Sequence, residues 1–339
     1  MRIAVIGAGS MGSVLGGKLA RAGTDVTLYD SNRNHIDAIR DRGLTVTDPD
    51  GSFTLPIVAT TDISMIADAD VALVLVDSNA TAVVAPLLRA VLKSDGAALT
   101  LQNGIGNVEV LADALGDHRV LAGATFISAA MIGPGHAHNT NIGDTVLGES
   151  VGGPSDRASS LAALLRLAGL PATASGNAMG HVWSKFALNC ALNPLSALTR
   201  LRPGEVIRHA AMARLLDDLI AEILAVVSAK RITLPETDPA KHIRDHAWLR
   251  YNRPSMLQHL GARRPTEIGS LNEALVREAD RLGVPVPANR TIAALVRGLE
   301  ARNARGDQVD EKLLEADAEA EFIRAVAKPS PQPENGGTR

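Results

Sequence analysis

The sequence predicts an α/β protein: an N-terminal Rossmann-type doubly wound parallel sheet followed by an all-helical C-terminal domain. Three observations carry this. Short strand-like runs alternate with helical patterns through the first half of the chain, the signature of strand–helix–strand crossovers. A G-x-G-x-x-G turn (Gly7, Gly9, Gly12) lies between the first strand and the first helix. Beyond about residue 175 the strand-like runs stop and long helical patterns take over.

The elements follow in order. IAVI (3–6) reads as a strand, SVLGGKLARAG as a helix ending near Gly23, and DVTLYD (25–30) as the second strand. HIDAIRDRG (35–43) is a helix closed by glycine. VALVLV (71–76) is an unbroken apolar run, as a strand covered on both faces should be. ATAVVAPLLRAVL reads as a helix and AALTLQNG (97–104) as a strand entering a turn. TVLGE, the loop GGPSD, the helix RASSLAALLRLAG and the edge strand LPATAS complete the layer between 145 and 174. The expected division is a dinucleotide-binding domain over 1–175, a helical substrate and catalytic domain over 176–327, and a disordered Pro/Gly/polar tail over 328–339.

Composition narrows the function. The chain has 339 residues, too many for a typical single domain, and 46% are hydrophobic, enough for real cores. Aromatics are 2%, which leaves few platforms for stacking bases, and a net charge of −3 offers no basic field for phosphate backbones. No nucleic-acid partner is expected. No apolar run approaches the ~20 residues of a membrane span, and no secretory cleavage site follows the N-terminus. The single cysteine, Cys190, excludes an internal disulfide. The expectation is a soluble cytoplasmic protein.

The glycine motif predicts a dinucleotide. Gly7 allows the tight turn, Gly9 lets backbone approach a pyrophosphate, and Gly12 lets helix and strand pack closely. Ala8, Ser10 and Met11 complete the loop facing the cofactor, with the pyrophosphate on the helix N-terminus. Asp30 ends the second strand, 18 residues past Gly12 (30 − 12), where an acid bonding the adenosine ribose belongs. A carboxylate there repels a 2′-phosphate and points to NAD. Arg33 nearby keeps NADP open, and a loop-capping role for Asp30 is the alternative.

HVWSKFALNCALNP (181–194) places Lys185, Asn189 and Asn193 four residues apart, on one stripe of a mostly apolar helix. Pro194 should end or bend that helix just after Asn193. Burying such a stripe unpaired costs on the order of 1–3 kcal/mol per group, so an interdomain cleft is expected to use it. Hydride delivered to a ketone makes an alkoxide, which a lysine ammonium stabilises and protonates, while carboxamides fix the substrate without adding charge. A Tyr-x-x-x-Lys alternative is absent: Arg33 follows Tyr29 and Ser255 follows Tyr251 at that spacing.

Together, GAGSMG, LQNGIGN (101–107), WSKFALNCALNPLSAL (183–198), NRPSM (252–256) with Gln258, and RPTEI (264–268) with PVPANR resemble the 2-dehydropantoate 2-reductase (ketopantoate reductase) family from residue 1 to about 305. The resemblance implies a Rossmann domain joined to a helical domain, often a dimer, with the active site between them. It implies NADP- or NAD-dependent reduction of a small 2-oxo acid, 2-dehydropantoate to pantoate. Lys185 would be the catalytic acid, and Asn189, Asn193, Asn252 and Ser255 would hold substrate. Asn103 would meet nicotinamide and substrate, Glu267 would lie by the lysine and cofactor, and Ala129 would touch the cofactor. Without the resemblance, Ser255 reads as a helix N-cap after Pro254, and Glu267 sits in a capping turn after Thr266. The family default is NADP, yet Ser31 and Asp77 stand where members often carry arginine and lysine, which again points to NAD. His259, Gly269 and Glu273 replace aspartate, aspartate and glycine around the catalytic set. This leaves an NAD-dependent D-2-hydroxyacid dehydrogenase of the same family as an alternative. A dinucleotide-sensing protein without chemistry is the alternative from a different class.

Other residues read as structural. His136 and His138 form H-x-H in a loop or at a strand edge, without a third ligand at definite spacing. His181 opens the lysine helix, His242, His246 and His259 are scattered, and Cys190 is a small buried thiol. DEKLLEADAEAE reads as a solvated helix.

Overall fold

The computed structural model describes residues 1–304. The acidic helix and the disordered tail expected from the sequence lie outside the described residues. The first part runs β1 (Arg2–Ile6), α1 (Ser10–Arg21), β2 (Asp25–Tyr29), α2 (Arg33–Arg42), β3 (Leu44–Asp48), β4 (Gly51–Leu55), β5 (Val58–Thr60) and β6 (Ala69–Val74). Two short helices, α3 (Thr81–Val84) and α4 (Leu88–Val91), flank Pro86, and β7 (Leu92–Thr100), α5 (Asn107–Leu115) and β8 (Val120–Thr125) follow. The layer closes with β9 (Ser128–Gly133), β10 (His136–Asn141), β11 (Thr145–Glu149), α6 (Asp156–Leu167) and β12 (Ala172–Ala174). The single helix expected over ATAVVAPLLRAVL is therefore broken, because Pro86 has no N–H to continue it.

Eight strands form the main sheet in the order β12-β11-β8-β7-β6-β1-β2-β5. From β8 to β5 all neighbours are parallel, and β11 enters antiparallel to β8. Burial explains the apolar runs. Ile3 and Val5 point into the core beneath α1 and α6, and Ala4 and Ile6 point into a second core beneath α3 to α5.

A second sheet, β4-β3-β10-β9, is absent from the sequence reading. Its β3–β4 hairpin turns at Asp-Pro-Asp-Gly (48–51), a local turn signal that could have revealed it. Helix α1 is sandwiched between the sheets, and its paired glycines allow it. A Cβ on Gly16 would lie 2.6 Å from Leu28 on the main sheet, and one on Gly17 would lie 2.8 Å from Val46 on the second. His136 and His138 are on β10, an inner strand of this sheet rather than a loop or an edge, because β3 and β9 flank it. His136 Nε2 is hydrogen-bonded to Thr47 Oγ1 at 2.9 Å.

Among the described residues seven helices follow: α7 (Ala178–Thr199), α8 (Pro203–Arg208), α9 (Ala210–Ala229), α10 (Pro239–Leu249), α11 (Ser255–Gly261), α12 (Asn272–Leu282) and α13 (Pro287–Ala304). Helix α7 is the central post. It buries Trp183, Phe186, Leu188 and Leu192 in a third core against α9, α11 and α13, and it also packs on β8. Among these residues no helix is long and apolar enough to cross a membrane.

Pro194 neither ends nor closes α7, which continues to Thr199. Proline removes the donor to the carbonyl four residues back, which is Cys190. That carbonyl instead accepts a hydrogen bond from Asn272 Nδ2 at 3.0 Å, and Asn272 is completely buried. A side chain from α12 thus repairs the helix. Asn272→Leu leaves the Cys190 carbonyl buried and unpaired, so we expect about 2–4 kcal/mol of lost stability in urea denaturation. An unchanged midpoint would refute the repair.

Candidate active site

Gly7, Asp30 and Asn103 each follow the carboxyl end of a main-sheet strand (β1, β2 and β7), so they open onto one edge of the sheet. At that edge Gly7 has φ +102°, and a Cβ on Gly12 would sit 2.0 Å from the Gly7 carbonyl oxygen. A Cβ on Gly9 would meet nothing within 4 Å, so that side of the turn is open to a ligand. Helix α1 starts at Ser10 without a side-chain cap, and its first N–H groups are open to an anion. Asp30 Oδ1 accepts the Asn32 N–H at 2.8 Å, so the loop-capping role is real and occupies one of its two oxygens. Ser31 and Asp77 are exposed, and Ala129 lies part-buried on β9.

Asn103 is held by docking of turns. The LQNG turn needs positive φ at Gly104 (+89°), and a Cβ there would lie 2.3 Å from the Ser270 carbonyl oxygen. The Ile105 N–H donates to that same oxygen at 3.2 Å. The turn therefore rests directly on the 3-10 turn Glu267–Gly269, which Thr266 caps through its side chain. This contact brings together residues 164 positions apart: Asn103 Nδ2 donates to Glu267 Oε1 at 2.9 Å and Oε2 at 3.2 Å.

Lys185, on α7, completes the cluster, with Nζ donating to Asn103 Oδ1 at 2.7 Å. Asn103 thus lies between an ammonium and a carboxylate, its oxygen toward one and its amide toward the other, which settles its orientation. Ser255 Oγ donates to Glu267 Oε2 at 3.2 Å. Ser255 is not the N-cap of α11. Pro254 takes that place, and the Ser255 hydroxyl turns to the carboxylate instead. Asn189 and Asn193 continue the α7 stripe outside this network, half-buried and buried respectively, and Asn252 is exposed on the loop before α11.

Burial pushes the Lys185 ammonium down to about 8, against the opposing pull of Glu267. If the ammonium is the proton donor, the rate of ketone reduction falls as pH rises through about 8, while the reverse oxidation, which needs the neutral amine, rises over the same range. Matching pH profiles in the two directions would exclude the lysine as the titrating group.

The sequence reading missed three supports. Phe126 places its ring centre 5.8 Å from the Lys185 nitrogen. Buried His35 accepts the Gly135 N–H on Nδ1 at 3.0 Å, and its Nε2 lies 3.1 Å from Ser13 Oγ, which donates to the Ala8 carbonyl at 2.8 Å. This ties the glycine turn to the second sheet. Arg297 donates to Glu273 at 2.7 and 2.6 Å and to Glu300 at 2.7 Å, and Glu300 accepts the Thr266 N–H at 2.6 Å. The Arg297 guanidinium would lie 3.1 Å from a Cβ on Gly269. Glu273 and Gly269, two of the departures, thus belong to one brace beneath the Glu267 turn.

Residues 3–152 match the family description "Ketopantoate reductase PanE/ApbA", and residues 177–300 match its C-terminal counterpart. The 2-dehydropantoate 2-reductase of Halobacterium salinarum is 36% identical over 300 residues, spanning 88% of this chain and 98% of that one. The chain belongs to the ketopantoate reductase family. A family member of known structure from Ralstonia eutropha superposes with a TM-score of 0.82 at 35% identity, over 90% of this chain and 100% of that one. D-mandelate dehydrogenase, in complex with NADH and anilino(oxo)acetate, superposes with a TM-score of 0.82 over 90% of this chain and 100% of that one. At 24% identity it shares the fold.

Proposed function

We propose that the chain reduces 2-dehydropantoate to (R)-pantoate with a nicotinamide dinucleotide bound at the glycine turn. The observation that carries this is the Lys185–Asn103–Glu267 relay at the carboxyl edge of the sheet. A bound reduced nicotinamide supplies the hydride. Lys185, with donors left over after Asn103 takes one, hydrogen-bonds the substrate ketone oxygen and gives it a proton as charge builds there. Glu267 keeps Asn103 oriented and offsets the ammonium charge. Asn189, Asn193, Asn252 and Ser255 hold the carboxylate and hydroxyl of the substrate. Asn252 stands exposed on the loop before α11, positioned to meet an incoming substrate.

For the nucleotide, charge favours NAD: Asp30 meets the ribose, and neither Ser31 nor Asp77 offers a cation to a 2′-phosphate. The test follows NADH and NADPH oxidation with 2-dehydropantoate and with 2-oxo acids carrying bulky 3-positions. We expect 2-dehydropantoate to turn over best, with NADH ahead of NADPH in kcat/KM by about tenfold or more, a preference equivalent to about 1.4 kcal/mol. Faster turnover of an aromatic 2-oxo acid would favour a D-2-hydroxyacid dehydrogenase, and a strong NADPH preference would overturn the nucleotide assignment.

A further inference from the structure

The polar stripe of α7 extends one turn upstream of Lys185, to His181, and there it borders a second cavity of about 390 Å³. None of the catalytic cluster lines this cavity. Its walls come from β8, the loop around Asp144, α7, Glu236 and α10. Phe126 lines the cavity and adjoins both sites: its ring centre is 5.8 Å from the Lys185 nitrogen and 6.3 Å from the ring centre of His246.

The cavity has two poles. At one, Glu236 Oε1 accepts the Ser184 hydroxyl at 2.6 Å and lies 3.7 Å from His242 Nε2. Its other oxygen, Oε2, is buried and has no partner among the described residues. A buried carboxylate oxygen in that state calls for a donor, and a cationic one suits it best. At the other pole stand His246 and Arg250. Burial, Arg250 and His242 together push His246 down to about 4, so its ring is neutral near pH 7 and the positive charge at this end is the Arg250 guanidinium. Asp144 and Asn141 border the same space. The poles are close, since the His242 and His246 ring centres are 6.5 Å apart.

Three histidines beside carboxylates invite a metal, but no three such side chains converge to hold one among the described residues. A simple anion would face the unpaired Glu236 oxygen, and a simple cation would face Arg250. A cavity of this size suits a small molecule, and its polarity calls for opposite charges at the two ends of that molecule. We propose that this cavity is a second ligand site that takes a small amino acid, its ammonium on Glu236 and its carboxylate on His246 and Arg250. The site stands whether or not the chain reduces a 2-oxo acid.

The test is isothermal titration calorimetry of the full chain, without nucleotide, against glycine, serine and 4-aminobutanoate, with acetate and methylammonium as half-ligands. At least one amino acid should bind one-to-one with Kd below about 1 mM, and each half-ligand at least about tenfold more weakly. Glu236→Gln and Arg250→Gln should each weaken binding about tenfold or more. Arg250 is exposed, so its variant tests the site without disturbing the core. Asn193→Ala, on the catalytic stripe, should leave the affinity unchanged. The proposal fails if no amino acid binds below about 1 mM, if acetate binds as well as the best of them, if Arg250→Gln has no effect, or if Asn193→Ala abolishes binding.

Discussion

Lys185→Ala should lower kcat for 2-dehydropantoate reduction by about 10³-fold while leaving dinucleotide affinity within about twofold, because a positioned acid that also stabilises the oxyanion contributes several kcal/mol to the transition state and little to the ground state. The dinucleotide is expected at the α1 turn, with which Lys185 shares no hydrogen bond. Its polar partner is Asn103 at 2.7 Å. Removing the ammonium also leaves Glu267 as an uncompensated partly enclosed charge, with Asn103 and Ser255 still bonded to it. The measurement pairs steady-state kcat with nucleotide binding by fluorescence. Turnover that survives in the variant would remove Lys185 from the chemistry, and a large loss of nucleotide affinity would mean that the lysine is part of the cofactor site.

Gly12→Ala should be the most disruptive change at the nucleotide end. A methyl group there would sit 2.0 Å from the Gly7 carbonyl oxygen and 3.0 Å from Val5, both parts of the rigid strand–turn unit, so the turn must open or the helix must lift. We expect roughly 2–4 kcal/mol of destabilisation and a loss of nucleotide affinity of about 100-fold or more. Gly9→Ala separates the two effects. Nothing lies within 4 Å of its added methyl. Stability should then change by no more than about 0.5 kcal/mol while nucleotide affinity still falls, since the methyl occupies the space a pyrophosphate needs. Denaturation curves and nucleotide titrations of both variants check this. Unchanged nucleotide binding in Gly9→Ala would place the cofactor elsewhere.

The sequence exposes what local physics governs. The glycine turn is local, so Gly7, Gly9 and Gly12 mark it without help from the rest of the chain. The runs IAVI and VALVLV fall on β1 and β6 because unbroken apolar runs need cover on both faces. The α7 stripe was legible for the same reason, as a helical period recurs every fourth residue. Non-local facts were hidden. That Asn103 meets Glu267 depends on a carbonyl of Ser270 resting against Gly104, which no spacing reveals. The Ser255 hydroxyl serves a carboxylate rather than its own helix because Glu267 lies within reach only after folding. Glu273, a departure by sequence, makes sense only beside Arg297. The second sheet went unread because its strands are short and polar on one side, and only Asp-Pro-Asp-Gly marked the hairpin.

The repaired carbonyl of Cys190 imposes an order on assembly. The helix that bears the lysine and both asparagines cannot complete its own backbone, because the missing donor belongs to a residue 82 positions later. The donor comes from α12, so the backbone bonding around Pro194 is complete only once α12 has packed against α7. The helix that carries the stripe therefore leans, at the turn that ends in Pro194, on a distant segment, and a chain truncated before Asn272 would keep Lys185, Asn189 and Asn193 but lose that bond.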